Sequence, residues 1–219
     1  MATSLFAKRI SPAVFGRRIV FHHQRYFGAS AIFMARISDA IKQDHQALQE
    51  AHDNIIAAKD PEERIRWRNL FAWELARHTI AEELLVYPAF EKHLSDGKDL
   101  AAKDREEHLL MRKELQELQA MTADHPEFIA TLSNLWGNFR QHIQEEEHED
   151  IAALEKAISA DESDALVRSF QRTKMLTPTR SHSSLPSKPP FENIEALLAA
   201  PLDRIRELFA QYPEEKSAM

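Results

Sequence analysis

His78 and Glu82 stand four positions apart in the stretch RHTIAEE, Arg77–Glu83. Four residues of α-helix make about one turn and about 6 Å of rise, so both side chains leave the same face. That face is apolar: Phe71, Leu75, His78, Glu82 and Leu85 follow the three- and four-residue steps of a core-facing stripe. An imidazole and a carboxylate are therefore aimed into the interior, where an unpaired charge costs several kcal/mol. Something in the core must satisfy them.

The device recurs. Phe128, Leu132, Leu135, Phe139, His142 and Glu146 form a second stripe that ends in His-x-x-x-Glu. Two further histidines share the setting: His45 lies on Ile37, Ile41, His45, Leu48, His52 and Ile55, and His108 on Ala101, His108, Met111, Leu115 and Leu118. The halves repeat at an interval of about 64 residues. Each supplies one helix with a single inward histidine and one with an inward His-x-x-x-Glu. Two such hairpins related by a pseudo-two-fold axis predict an all-α protein, an antiparallel up-down four-helix bundle with short C-terminal helices, whose facing side chains build a site in the core. Four imidazoles and two carboxylates can hold two metal ions. The chain has no cysteine, which excludes thiolate and iron–sulfur sites; the mixed donors suit iron, manganese or zinc. The alternative is an ordinary bundle with four satisfied core histidines.

The residues resemble a family at this point, the hemerythrin-like or HHE cation-binding proteins. The matching motifs are DHQAL (Asp44–Leu48), HTIAEELLVYP (His78–Pro88), EHLLM (Glu107–Met111) and HIQEEE (His142–Glu147), within about Ser38 to Ala157. The resemblance implies a non-haem pair of iron ions with an oxo or hydroxo bridge and bridging carboxylates. It carries metal-ligand roles onto His45, His78, Glu82, His108, His142 and Glu146. Two departures stand out. Oxygen-carrying hemerythrins have His-x-x-x-His on the third helix, where this chain has Asp104 before His108. Their last motif is His-x-x-x-x-Asp, where this chain offers Glu146 and Glu147. Asp104 and Glu147 are thus possible additional ligands; Asp104 could equally accept from an imidazole N–H or be a solvated surface acid. One histidine fewer than a dedicated carrier weighs against simple oxygen transport.

The elements that must position these residues follow from caps and breakers. A first helix is predicted from Ser38 or Asp39 to about Ala58, and Asp60-Pro61-Glu62-Glu63 caps the second. Pro88 is expected to kink or end that helix soon after the ligands. Ser95-Asp96-Gly97 marks a turn, a third helix runs from about Asp99 to Thr122, and a fourth opens at Asp124-His125-Pro126-Glu127 and runs to about Ser159. In its acidic run, Glu145–Asp150, only Glu146 falls on the inward stripe. His52, His93, His125 and His148 read as surface or rim residues, and Trp73 and Tyr87 as packing. A short helix at Asp164–Lys174 precedes a Pro- and Ser-rich strap (Leu176–Pro190) and an amphipathic segment (Phe191–Gln211).

At 219 residues the chain fits one bundle, residues 35–174, flanked by a leader over 1–34 and a tail over 175–219. Met1 to Ser38 carries Lys and Arg but no Asp or Glu, as a mitochondrial transit peptide does; Arg25, Phe27, Ser30 and Met34 fit a two-step processing site. The alternative is a basic arm on a cytoplasmic protein. The net charge of −7 becomes more negative without the leader and argues against nucleic-acid binding. No apolar run approaches the ~18 residues of a membrane span. The expected function is binding of oxygen or a related small oxidant or diatomic ligand, or storage or sensing of iron. No residue is singled out as catalytic. The alternatives are an oxidase or peroxidase-type enzyme using the same ions, and a structural bundle that docks a protein partner.

Overall fold

The structure is a computed structural model that describes residues 35–176 and Pro213. The leader over Met1–Met34 and the segment Phe191–Gln211 lie outside the described residues, as does the strap beyond Leu176. Among the described residues the protein is all-helical.

Helix α1 (Ile37–Ala57) begins ahead of the expected Ser38 or Asp39 cap, with extended Arg36 in the capping position and no cap from its own side chain. Its first donors are instead satisfied from more than a hundred residues further along the chain: Ile37 N–H donates to Ser163 Oγ at 2.9 Å and Ser38 N–H to Glu155 Oε1 at 3.1 Å. A helix start leaves such N–H groups open, and any acceptor that reaches them serves. Helix α2 (Pro61–Ala81) starts as predicted, with Asp60 accepting from Glu63 N–H at 2.8 Å and Pro61 in the first turn.

Both helices that carry His-x-x-x-Glu widen at the glutamate. A π-helical turn spans Glu82–Val86, closed by Tyr87 N–H donating to Glu82 O, and a second spans Glu146–Asp150, closed by Ile151 N–H donating to Glu146 O. Single π turns of this kind gather at functional sites. Pro88 does not end its helix. The disturbance is the π turn ahead of it, and α3 (Tyr87–His93) continues with the proline in its first turn, where a missing N–H costs least. Helix α4 (Gly97–Ala120), α5 (Phe128–Glu145), α6 (Ile151–Ala157) and α7 (Ala160–Leu176) complete the described chain.

Gly97 is where α4 meets α3. A Cβ there would lie 1.9 Å from Phe90 O, a backbone atom that cannot swing aside. Overpacking of this kind costs about 1–3 kcal/mol, so Gly97→Ala is expected to lower the melting temperature by about 5 °C. Thermal unfolding followed by circular dichroism checks this; an unchanged midpoint would mean that α3 and α4 part freely.

The core has two apolar layers. One contains Leu48, Ile55, Phe71, Leu75, Met111, Leu115, Leu132, Leu135 and Phe139, the other Ile37, Ile41, Val86, Phe90, Ala101, Ile151 and Leu154. On α1 and α4 the chain passes from the second layer to the first; on α2 and α5 it passes back. On each of the four, the inward histidine falls between the layers, so the polar side chains form a slab with apolar packing above and below. Helix α7 lies against α1 and α2 and buries Phe170 and Lys174.

Candidate metal centre

His45, His78, His108 and His142 are all buried, and each turns Nε2 inward. His45 Nε2 is 3.2 Å from His78 Nε2, and His108 Nε2 is 3.3 Å from His142 Nε2. The two glutamates stand among these pairs. Glu82 reaches both: its Oε1 is 3.1 Å from His78 Nε2 and its Oε2 3.5 Å from His108 Nε2. Glu146 does the same through one oxygen, Oε2, 3.3 Å from His45 Nε2 and 3.9 Å from His142 Nε2. The donor atoms of His45, His78, Glu82 and Glu146 lie within 4.8 Å of one another, as do those of Glu82, His108 and His142. Two ion-sized groups therefore share Glu82.

The outer nitrogens explain the inner ones. His45 Nδ1 lies 2.7 Å from Glu147 Oε1, His78 Nδ1 3.3 Å from Asp44 Oδ2, His108 Nδ1 3.1 Å from Glu83 Oε1, and His142 Nδ1 2.9 Å from Glu107 Oε2. An ionised carboxylate only accepts, so the proton of each neutral imidazole sits on Nδ1 and the lone pair on Nε2 faces inward. Lone pairs facing each other at about 3 Å repel unless a proton or a metal ion lies between them. The glutamates complete the test of fit: all four oxygens of Glu82 and Glu146 are buried without a hydrogen-bond partner, despite the nearby imidazoles. Orphaned oxygens in such a place cost free energy that a metal ion would recover.

Glu147, considered as a ligand from sequence, has its Oε1 2.7 Å from His45 Nδ1. Asp104 is 1% exposed, not a surface acid, and both its oxygens lack a hydrogen-bond partner. It forms a group with His142 and Glu107. Asp150 is also buried, so Glu146 is not alone in turning inward from the acidic run. Tyr87 is fully buried, with its Oη 2.8 Å from His108 Nε2, which packing alone did not anticipate. His125 and His148 are exposed and His93 is half-buried, while His52 stacks on Trp136 at 4.4 Å. On the α2 side, Lys174 of α7 pairs with Asp44 behind His78.

Charge in this slab divides unevenly in the metal-free protein. Burial and the charge of Glu146 push Glu82 well above the usual carboxylate range. Burial acts on Glu146 in the same direction, but His45 close beside it and the charges of the other imidazoles hold it below that range. Two buried carboxylates side by side do not both ionise at ordinary cost. Burial would lower His45, but the carboxylates of Glu146 and Glu147 beside it raise it to about 9. Burial lowers His78 to about 4, despite Asp44. Burial also lifts Asp104 to about 7.

The sequence profile of the hemerythrin HHE cation binding domain matches residues 36–154. An uncharacterized hemerythrin-like protein of Schizosaccharomyces pombe is 48% identical over 181 residues, covering 82% of this chain and 89% of that protein. A DNA nickase of Nostoc is 22% identical over 138 residues, covering 63% of this chain but only 39% of that protein. No solved structure matches.

Proposed function

We propose the function from one premise: the chain belongs to the hemerythrin HHE cation-binding family. Its buried histidine and glutamate clusters are suited to metal, and we infer that the metal is a pair of iron ions in an antiparallel up-down four-helix bundle. Glu82 and Glu146 would bridge the ions, with His45 and His78 completing one and His108 and His142 the other. The observation that carries this reading is the set of four orphaned carboxylate oxygens among four inward Nε2 atoms. When bound, such a pair with an oxo or hydroxo bridge supplies a redox-active centre with room for a small ligand, in keeping with binding of oxygen or a related molecule, or with storage or sensing of iron. The chain's own part is positional. Asp44, Glu83, Glu107 and Glu147 fix the imidazoles, and the two apolar layers keep water out of the slab.

A second reading, an oxidase or peroxidase-type enzyme, draws on Asp104. Its buried carboxylate moves the donor set toward the carboxylate-rich shells of oxidase bundles. Metal analysis is expected to find close to two iron atoms per chain, and stopped-flow spectra on adding air to the reduced protein a reversible oxygenated band. Irreversible oxidation with turnover of a donor supports the enzyme, and absence of metal after expression with ample iron removes the di-iron reading. The Nostoc nickase lends no nucleic-acid role, because this chain spans so little of it and is net acidic.

We also place the protein in mitochondria, from the acid-free basic run over 1–34. Deleting that run is expected to abolish import while leaving iron content and melting temperature unchanged, since none of the six ligands lies within it. A large fall in melting temperature would refute the assignment as a leader.

A further inference from the structure

The repeat that relates the two halves fails at two buried positions, and both failures fall on one side. Ile41 stands one turn before His45, and Ile151 closes the second π turn; at the positions the repeat relates to these, Asp104 stands one turn before His108, and Tyr87 closes the first π turn. All four residues are at most 1% exposed. The half-site of His108 and His142 thus has a hydroxyl and a carboxyl beside it, where the positions related by the repeat are isoleucines.

The hydroxyl is aimed at the chemistry. Tyr87 Oη lies 2.8 Å from His108 Nε2, the nitrogen that faces the site, while Glu83 engages Nδ1. With the imidazole proton on Nδ1, Tyr87 donates to the Nε2 lone pair. That lone pair is also the one a metal takes. A metal on His108 therefore deprives a fully buried hydroxyl of its acceptor and leaves it beside the ion, where a donor without an acceptor is costly.

We propose that Tyr87 donates a hydrogen bond to a small anion or oxygen-donor molecule bound at the metal held by His108 and His142, which makes this half the ligand-receiving one. The proposal rests on the di-iron reading above. Tyr87 is a positioning and selecting residue here: a buried donor beside the ion favours ligands that carry an acceptor, and the depth of the site favours small ones.

Azide is the probe, added to oxidised, iron-loaded, full-length protein and followed by its charge-transfer absorption. Tyr87→Phe is expected to keep the wild-type iron content and to weaken azide binding roughly tenfold, as loss of one hydrogen bond to a charged acceptor does. In the wild type the iron–azide stretching frequency is expected to shift between H2O and D2O, and the variant should lose that shift. Unchanged azide affinity in an iron-replete Tyr87→Phe overturns the proposal. A tyrosinate-to-iron band in the wild type before azide is added also overturns it, since Tyr87 would then be a ligand. Should the variant fail to fold, the wild-type isotope shift decides: its absence overturns the proposal. A wild type without iron fails at the earlier step, and the proposal falls with it.

Discussion

Glu82→Ala is expected to empty both metal positions and to lower the melting temperature of the purified protein by about 10 °C. Glu82 is the carboxylate common to both groups of donors, one oxygen beside His78 and the other beside His108, so its loss breaks both at once. A ligand present at about a thousand times its dissociation constant stabilises the folded state by about 4 kcal/mol, which for a domain of this size corresponds to about that shift. The metal-free proteins should compare differently. Without metal, Glu82 is a buried carboxyl with no hydrogen-bond partner, so its removal trades an orphaned polar group for a small cavity. After chelation, wild type and variant are expected to melt within a few degrees of each other by roughly these offsetting costs. Full metal occupancy in the variant would show that the bridging role is misassigned. Glu146→Ala is expected to behave in the same way.

Metal uptake is expected to release protons and to weaken as pH falls, by roughly one to two powers of ten per pH unit between pH 8 and 6. The sign follows from two groups. In the metal-free protein His45 keeps its proton up to about pH 9, and Glu82 is raised well above the carboxylate range; a ligand must give up its proton before it can bind. In this window each proton displaced costs a factor of about ten for every unit of pH. Calorimetry in buffers of different ionisation enthalpy counts the protons, and a pH series of competition titrations gives the slope. An affinity independent of pH would mean that His45 is already neutral and that Glu147 does not hold it charged.

Much of the site could be read from the chain because its inner residues sit on apolar stripes. His78, Glu82, His142 and Glu146 are conspicuous as polar residues where the helical period demands apolar ones. The roles of the outer carboxylates are not legible in the sequence for a geometric reason. Asp44, Glu83, Glu107 and Glu147 each adjoin an inward residue in sequence, about 100° around the same helix, so they leave the stripe; Glu147 reads only as a possible additional ligand, and the other three are not singled out. They serve the imidazole of a neighbouring helix instead. Their signal was the repetition of acidic neighbours at His45, Glu82, His108 and Glu146, which a search along single stripes does not register. The π turns have no residue signature in common, since one is followed by a proline and the other is not. The capping of α1 could not be read locally, because its acceptors are more than a hundred residues away.

That remote capping bears on how the molecule is assembled as it is synthesised. Ile37 N–H and Ser38 N–H are bonded by residues 126 and 117 positions later, His45 by one 102 positions later, and Asp44 by one 130 positions later. Such non-local pairings are slow to find because loop-closure entropy must be overcome before they repay it. A nascent chain that stops at the end of α5 has no Glu147 for His45 and no acceptors for the start of α1, although α1 itself is complete. The first described helix to leave the ribosome is thus among the last to be secured, and chains truncated within α7 are expected to be open to proteases at α1, far in sequence from the cut.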